Sequence, residues 1–134
     1  MQRNLSALLL ASLCISSTLA TKGVDLATAV SQSTFECFKS NGMSFAIPRA
    51  YKSYGTFDSN AINNIKNARA AGIQYVDVYM FPCRGKSASD QVSDLINNLG
   101  SSNYGMIWLD IETNPSSGCS WSSYSAASNC QFAT

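Results

Sequence analysis

Short apolar runs alternate along this chain with segments whose apolar residues recur at helical spacing. Lys22–Leu26, Ser44–Ala50, Ile73–Met80 and Met106–Ile111 are rich in Val, Ile, Tyr and Phe, the pattern of buried strands. Between them, Thr34–Asn41, Asn60–Ala71 and Ser89–Leu99 place apolar residues three and four apart, which predicts helices. In the second of these, Ala61, Ile62, Ile65, Ala68 and Ala71 form one stripe, and Gly72 just beyond supplies a stop. Asp58 or Ser59 is a natural N-cap for that helix, and Ser87 or Ser89 for the next, because a short side-chain oxygen can accept from the free N–H groups of a first turn.

Strand and helix repeating every roughly 25 to 35 residues predict right-handed crossovers and a parallel sheet. The fold class is therefore α/β, with parallel strands and flanking helices. A closed (β/α)8 barrel needs eight such strands and typically about 250 residues, twice the four strands found here. The pattern fits either a small open sheet or the first half of a TIM-like barrel. The chain stops just as a fourth helix after Tyr124 would get under way, which favours the truncated barrel. Half a barrel leaves two strand edges and apolar helix surface uncovered, so a homodimer covering those edges is expected.

Residues 1–20 stand apart from this pattern. A basic start at Arg3, an apolar stretch from Leu5 to Ile15, and small residues at Thr18 and Ala20 read as a cleaved secretory signal, leaving a domain over residues 21–134. The apolar run falls short of the roughly 20 residues that span a bilayer, so no membrane anchor is expected after cleavage. Removing the leader also removes Cys14 and leaves Cys37, Cys83, Cys119 and Cys130. An even number in an exported chain reads as two disulfides. Four cysteines permit three connectivities, and the sequence does not choose among them. The short Ser-rich span between Cys119 and Cys130 would suit a local staple, which would pair Cys37 with Cys83. Zinc is the competing reading, but C-x2-C spacing is missing.

Composition narrows the chemistry. The chain has no His, so no Ser-His-Asp or Cys-His nucleophile, His-ligated zinc or imidazole acid/base can be assembled. A formal net charge of +1 without a basic stripe argues against nucleic acid. Acid/base work falls to carboxylates, Tyr, Lys or Cys. Asp110 and Glu112 lie two residues apart in the fourth predicted strand, which would put both on one face near its C-terminal end, where α/β barrels build active sites. Asp25 ends the first strand and, in a parallel sheet, reaches the same rim. Clustered carboxylates raise one another's pKa, leaving one protonated near neutrality as a general acid, which is what glycosidic cleavage requires. The alternatives are a solvated surface pair, a helix cap, or a Mg²⁺ or Ca²⁺ site. No loop of regularly spaced oxygen ligands supports the last, and no cofactor or metal is expected.

Four segments then resemble a known family. Lys-Gly-Val-Asp-Leu from Lys22, Phe-Ala-Ile-Pro-Arg-Ala-Tyr from Phe45, Tyr-Val-Asp-Val-Tyr-Met-Phe-Pro from Tyr75 and Trp-Leu-Asp-Ile-Glu-Thr-Asn from Trp108 resemble glycoside hydrolase family 25, the muramidase-type lysozymes. The likeness is to the eukaryotic, secreted, Cys-bearing branch, and it covers the N-terminal half of that family's domain.

The resemblance implies hydrolysis of the β-1,4 bond between N-acetylmuramic acid and N-acetylglucosamine, with bacterial peptidoglycan as partner and an extracellular or digestive compartment as location. It makes Glu112 the general acid, Asp110 the neighbouring carboxylate that orients the substrate acetamido group or backs a nucleophile, and Asp25 the third member of the cluster. Tyr79 falls on an active-site tyrosine; Arg49, where many members have Lys, and Met80, where many bacterial members have His, are weaker matches. Asp77 shares the strand face of Tyr79 and either joins the rim or pairs with Arg49 or Lys52. Tyr51 and Tyr54 are placed to stack on a sugar, Trp108 to fill the barrel, and Trp121 and Tyr124 to line the cleft or pack around Cys119. An inactive peptidoglycan-binding half-domain and a chitinase-like barrel are the other readings. The chitinase pattern places a further Asp where this chain has Trp108. Defence and digestion fit equally.

Overall fold

The computed structural model describes residues 21–134, and the predicted leader, with Arg3 and Cys14, lies outside the described residues. The elements run β1 (Lys22–Leu26), α1 (Gln32–Ser40), β2 (Met43–Lys52), β3 (Thr56–Phe57), α2 (Asn60–Ala70), β4 (Tyr75–Val76), β5 (Val78–Met80), α3 (Ala88–Leu99), β6 (Ile107–Leu109), a 3-10 turn (Trp121–Ser123) and α4 (Ala126–Ala133). Strands β1, β2, β5 and β6 are neighbours in that order and all pair in parallel, with β4 beside the first part of β2. Short β3 turns back antiparallel onto the end of β2. This is the expected α/β arrangement of parallel strands flanked by helices. Among the described residues no helix is long and apolar enough to cross a membrane.

Local chemistry accounts for the helix starts. The Ser31 hydroxyl accepts from the Thr34 N–H at 3.2 Å to open α1, and Ser87 accepts from the Asp90 N–H at 3.3 Å to open α3. Of the two candidate caps of α2, Asp58 serves, accepting from the Asn60 N–H at 3.2 Å, while Ser59 makes no capping bond. Gly72 ends the segment with φ +79°, a left-handed conformation that favours glycine.

The core lies between the helices and one face of the sheet. Phe35, Ala46, Ala50, Ile65, Ala68, Val76, Val78, Leu95 and Leu99 form it. Small residues at alternate positions of β2 let the helices approach, while Phe45, Ile47 and Arg49 point to the other face by the period-two rule. That second face is left uncovered by the helices. Tyr75, Met106 and Trp108 on it are 56%, 59% and 50% exposed. Trp108, expected as barrel filling, thus stands half in solvent. At the first pair of strands the ring of Phe45 occupies the space that a Cβ on Gly23 would take, so glycine is required there.

Two other expectations are corrected. Tyr51 does not reach a sugar-binding surface: it is 2% exposed within the core, because an irregularity in the β2–β5 pairing between Arg49 and Tyr51 breaks the alternation. Burial, and then the Asp94 carboxylate, push its phenol up to about 12. Tyr54, in the following loop, stays exposed. The anticipated pairs Cys37–Cys83 and Cys119–Cys130 are not formed. Among the described residues the disulfide is Cys83–Cys119, across a sequence separation of 36, and Cys37 and Cys130 are exposed and unpaired there. The reason is topological: Cys83 and Cys119 sit in the loops that leave adjacent parallel strands β5 and β6, so the sheet brings them together regardless of contour distance.

Candidate active site

Because β1, β2, β5 and β6 all run the same way, the ends of their segments meet at one rim. There Asp25, Ile47, Tyr79, Trp108, Leu109 and Asp110 line a depression of about 300 Å³. Asp110 is partly buried in it. Burial, followed by the charges of Glu112 and Asp25, raises its carboxyl pKa above the ordinary value of 3.8. The phenol of Tyr79 is also pushed up, first by burial and then by Asp110, Asp25 and Asp58, against an opposing pull from Arg49. The expected acids and the tyrosine therefore share one electrostatic site.

Glu112 enters it differently from the sequence expectation. Strand β6 ends at Leu109, and the Asp110 N–H closes the ladder by donating to the Met80 carbonyl at 2.9 Å. Beyond that bond alternation no longer applies, so Glu112 does not sit under Asp110 on one strand face. It lines a neighbouring cavity of about 640 Å³ with Asn114, Trp121, Tyr124 and Asn129. Its charge still acts on Asp110 across the divide.

Sequence reasoning missed what holds this loop. Asn114 is buried and donates from Nδ2 to the carbonyls of Ser53 at 2.8 Å and Pro82 at 3.1 Å, while its Oδ1 accepts from the Ser116 N–H at 2.9 Å. One amide thus ties the Glu112 loop to the ends of β2 and β5. Buried Gln91 braces the same region, exchanging bonds of 2.8 and 3.0 Å with the backbone of Cys83. Arg84, next along the chain, lies over the Tyr124 ring at 3.8 Å and donates to Asn129 and Ser128, which fastens α4 beside the Glu112 cavity. The only sequence signals were polar residues inside otherwise apolar or loop segments.

Three further side chains are placed otherwise than expected. Arg49 is not free for substrate: its Nε and Nη2 each lie 2.9 Å from Asp58 Oδ2, and Nη2 also donates to the Ala27 carbonyl at 3.2 Å. Asp77 pairs with neither Arg49 nor Lys52, whose ammonium instead lies 3.7 Å from Asp58. It accepts from the Met106 N–H and the Trp108 indole N–H, both at 2.9 Å. Met80 is buried in the core, away from the rim.

Residues 16–134 match the family described as Lysozyme-like protein 1. The chain belongs to that family. It is 50% identical over 97 residues to a protein named Probable GH family 25 lysozyme 2 of Dictyostelium discoideum, covering 69% of this chain and 45% of that one. It is 46% identical over 99 residues to Lysozyme-like protein 5 of Caenorhabditis elegans, covering 69% and 46%. The resemblance read from the four strand motifs is thereby borne out, and this lysozyme-like chain spans about half the length of the curated relatives it matches.

Two properties of the lysozyme-like site are open to direct test. A carboxyl whose folded pKa is raised holds its proton more tightly in the fold than in the unfolded chain, so its ionisation weakens the fold as pH rises through the folded value. Asp110→Asn accordingly melts at a higher temperature than the parent at pH 7, and the gap closes as pH falls below 3.8, where the carboxyl is protonated in both states. A parent more stable than the variant at pH 7 would contradict this. Separately, replacing both Cys83 and Cys119 by Ser costs about 2–4 kcal/mol in urea unfolding, since the bridge closes a loop across a separation of 36. Reductant lowers the parent to the same level and leaves the double variant unchanged.

Proposed function

We propose that this lysozyme-like chain is part of an exported glycosidase that hydrolyses the β-1,4 bond between N-acetylmuramic acid and N-acetylglucosamine in bacterial peptidoglycan. The observation that carries the reading is the meeting of Asp25, Asp110 and the Glu112 charge at the carboxyl ends of parallel strands, with Asp110 raised by burial and by the other two acids. Neighbouring acids in unequal environments are the requirement for splitting acid and stabiliser roles.

In this reading Glu112, exposed on the loop after β6 and assigned as the acid by its place in the family motif, gives its proton to the glycosidic oxygen as the bond to the anomeric carbon breaks. Asp110, on the depression side, orients the substrate acetamido group, whose carbonyl oxygen meets the developing positive charge. Asp25 and Tyr79 complete the wall and hold the sugar. A water then delivers hydroxide to the anomeric carbon and returns a proton to Glu112.

The same reading takes the sheet as half of a (β/α)8 barrel, supported by four parallel strands in sequential order and by relatives of about twice the length. The apolar face formed by Phe45, Tyr75 and Met106 is then barrel interior, which a second copy of this chain would cover. Export is supported by the Cys83–Cys119 disulfide. The test is release of reducing ends from purified peptidoglycan beside chitin. Release from peptidoglycan alone is expected. Release from chitin alone would favour the chitinase-like reading, and retention on insoluble peptidoglycan without release would favour a binding domain.

A further inference from the structure

The third strand of the sheet is interrupted at a single residue, Asp77, between β4 and β5. On one side the ladder runs normally, with the Asp77 N–H donating to the Ala46 carbonyl at 3.1 Å. On the other, the carboxylate itself takes the place of a backbone partner. Gly105 donates to the Val76 carbonyl at 2.8 Å and Val78 donates to the Met106 carbonyl at 3.0 Å, and the Met106 N–H between them is met by Asp77 Oδ1 at 2.9 Å. The second oxygen, Oδ2, accepts from the Trp108 indole N–H at 2.9 Å. Gly105 is part of the arrangement, because a Cβ there would fall on Asp77 Oδ1.

This clamp has a cost that the fold alone does not explain. It spends a charged carboxylate on a ring that is 50% exposed and contributes little to the core. Yet that ring lines the acidic depression together with Asp25, Tyr79 and Asp110, and it stands beside Tyr79 in the β5–β6 register. Held by its edge, an indole keeps one orientation and offers a fixed apolar face; released, it would sample other rotamers and lose that entropy on binding. Sugars present apolar C–H faces that pack on such rings, with their hydroxyl and acetamido groups left for the surrounding polar side chains.

We propose that Asp77 is a positioning residue, which locks the Trp108 indole as the floor on which an N-acetylhexosamine ring stacks in the acidic depression. This rests on the glycosidase reading for the kind of ligand, but its test is binding rather than turnover. The trisaccharide of N-acetylglucosamine is titrated into the Glu112→Gln protein, in which the proposed proton donor is gone, while the two indole N–H resonances of Trp108 and Trp121 are followed by NMR. The Trp108 signal moves on binding and the Trp121 signal does not. Asp77→Asn, whose amide nitrogen cannot accept, shifts the Trp108 resonance in the absence of sugar and weakens binding roughly three- to tenfold, the cost of re-ordering a freed side chain on binding.

Trp108→Leu weakens binding by a similar factor, and adding Asp77→Asn to it produces no further loss, because Asp77 acts only through the ring. Additive losses would mean that Asp77 merely holds the strand, and would overturn the proposal. So would a Trp108 indole that ignores the sugar, or no binding at all, and neither observation requires a change at Asp77. A protein that binds in this way but releases no sugar from peptidoglycan would overturn the glycosidase reading and leave the platform standing.

Discussion

On the proposed glycosidase reading, Glu112→Gln slows release of reducing ends from peptidoglycan by at least roughly 10²-fold, the contribution general acid catalysis usually makes. The substitution keeps the size and shape of the side chain and removes the proton that the departing oxygen needs. Glu112 is exposed in the cavity beside Asp110, and the loop that carries it is held by Asn114 and the Cys83–Cys119 bridge rather than by its own carboxylate. The variant therefore unfolds within about 0.5 kcal/mol of the parent, as exposed substitutions generally do. The loss falls on kcat while KM changes little, because the proton is transferred only in the transition state. Equal rates for variant and parent would remove Glu112 from the mechanism and pass the general-acid role to Asp110, the carboxyl whose pKa is raised.

Asp58→Ala destabilises the fold by about 3–5 kcal/mol, the range for removing one partner of a buried ion pair. Its side chain is 1% exposed, with Arg49 at 2.9 Å and Lys52 at 3.7 Å, and those partners are themselves only 24% and 26% exposed. Without the carboxylate two cations are left facing each other beside the core, and the Asn60 N–H at the start of α2 loses its acceptor. Asp58→Asn recovers the volume but not the charge, and falls between parent and Ala variant. Urea midpoints with unchanged slopes measure both. A cost under about 1 kcal/mol would show that Arg49 and Lys52 swing out to water on release. Loss of the pair also frees Arg49 beside Tyr79, so the candidate site changes together with the fold.

Much of this architecture was legible in the amino-acid order. Strand β1 was read with its observed limits, the three predicted helices lie within a few residues of α1, α2 and α3, and Ser87 caps α3 as its side chain allows. These features depend on neighbours a few positions away, and periodicity records such neighbours. The acids at strand ends were visible for the same reason: a parallel sheet carries Asp25 and Asp110 to one rim once its strands are identified.

What the order of residues left open was every pairing made across the sheet. Asp58 reads as a helix cap and does accept the Asn60 N–H, but it is also the buried counter-ion of Arg49 and Lys52, which the sequence does not reveal. Asp77 read as a rim acid or a partner of those cations, and it grips β6 and Trp108. Tyr51 read as a surface ring and is core, because one irregularity in a strand reverses which side a residue faces. Glu112 left the face of Asp110 because β6 stops at Leu109, and Cys83 found Cys119 across 36 positions. Period and composition thus determined which segments are strands and helices and which chemistry is present. Only tertiary structure decided which charges meet and where each side chain points, since those depend on distances through space that contour length does not measure.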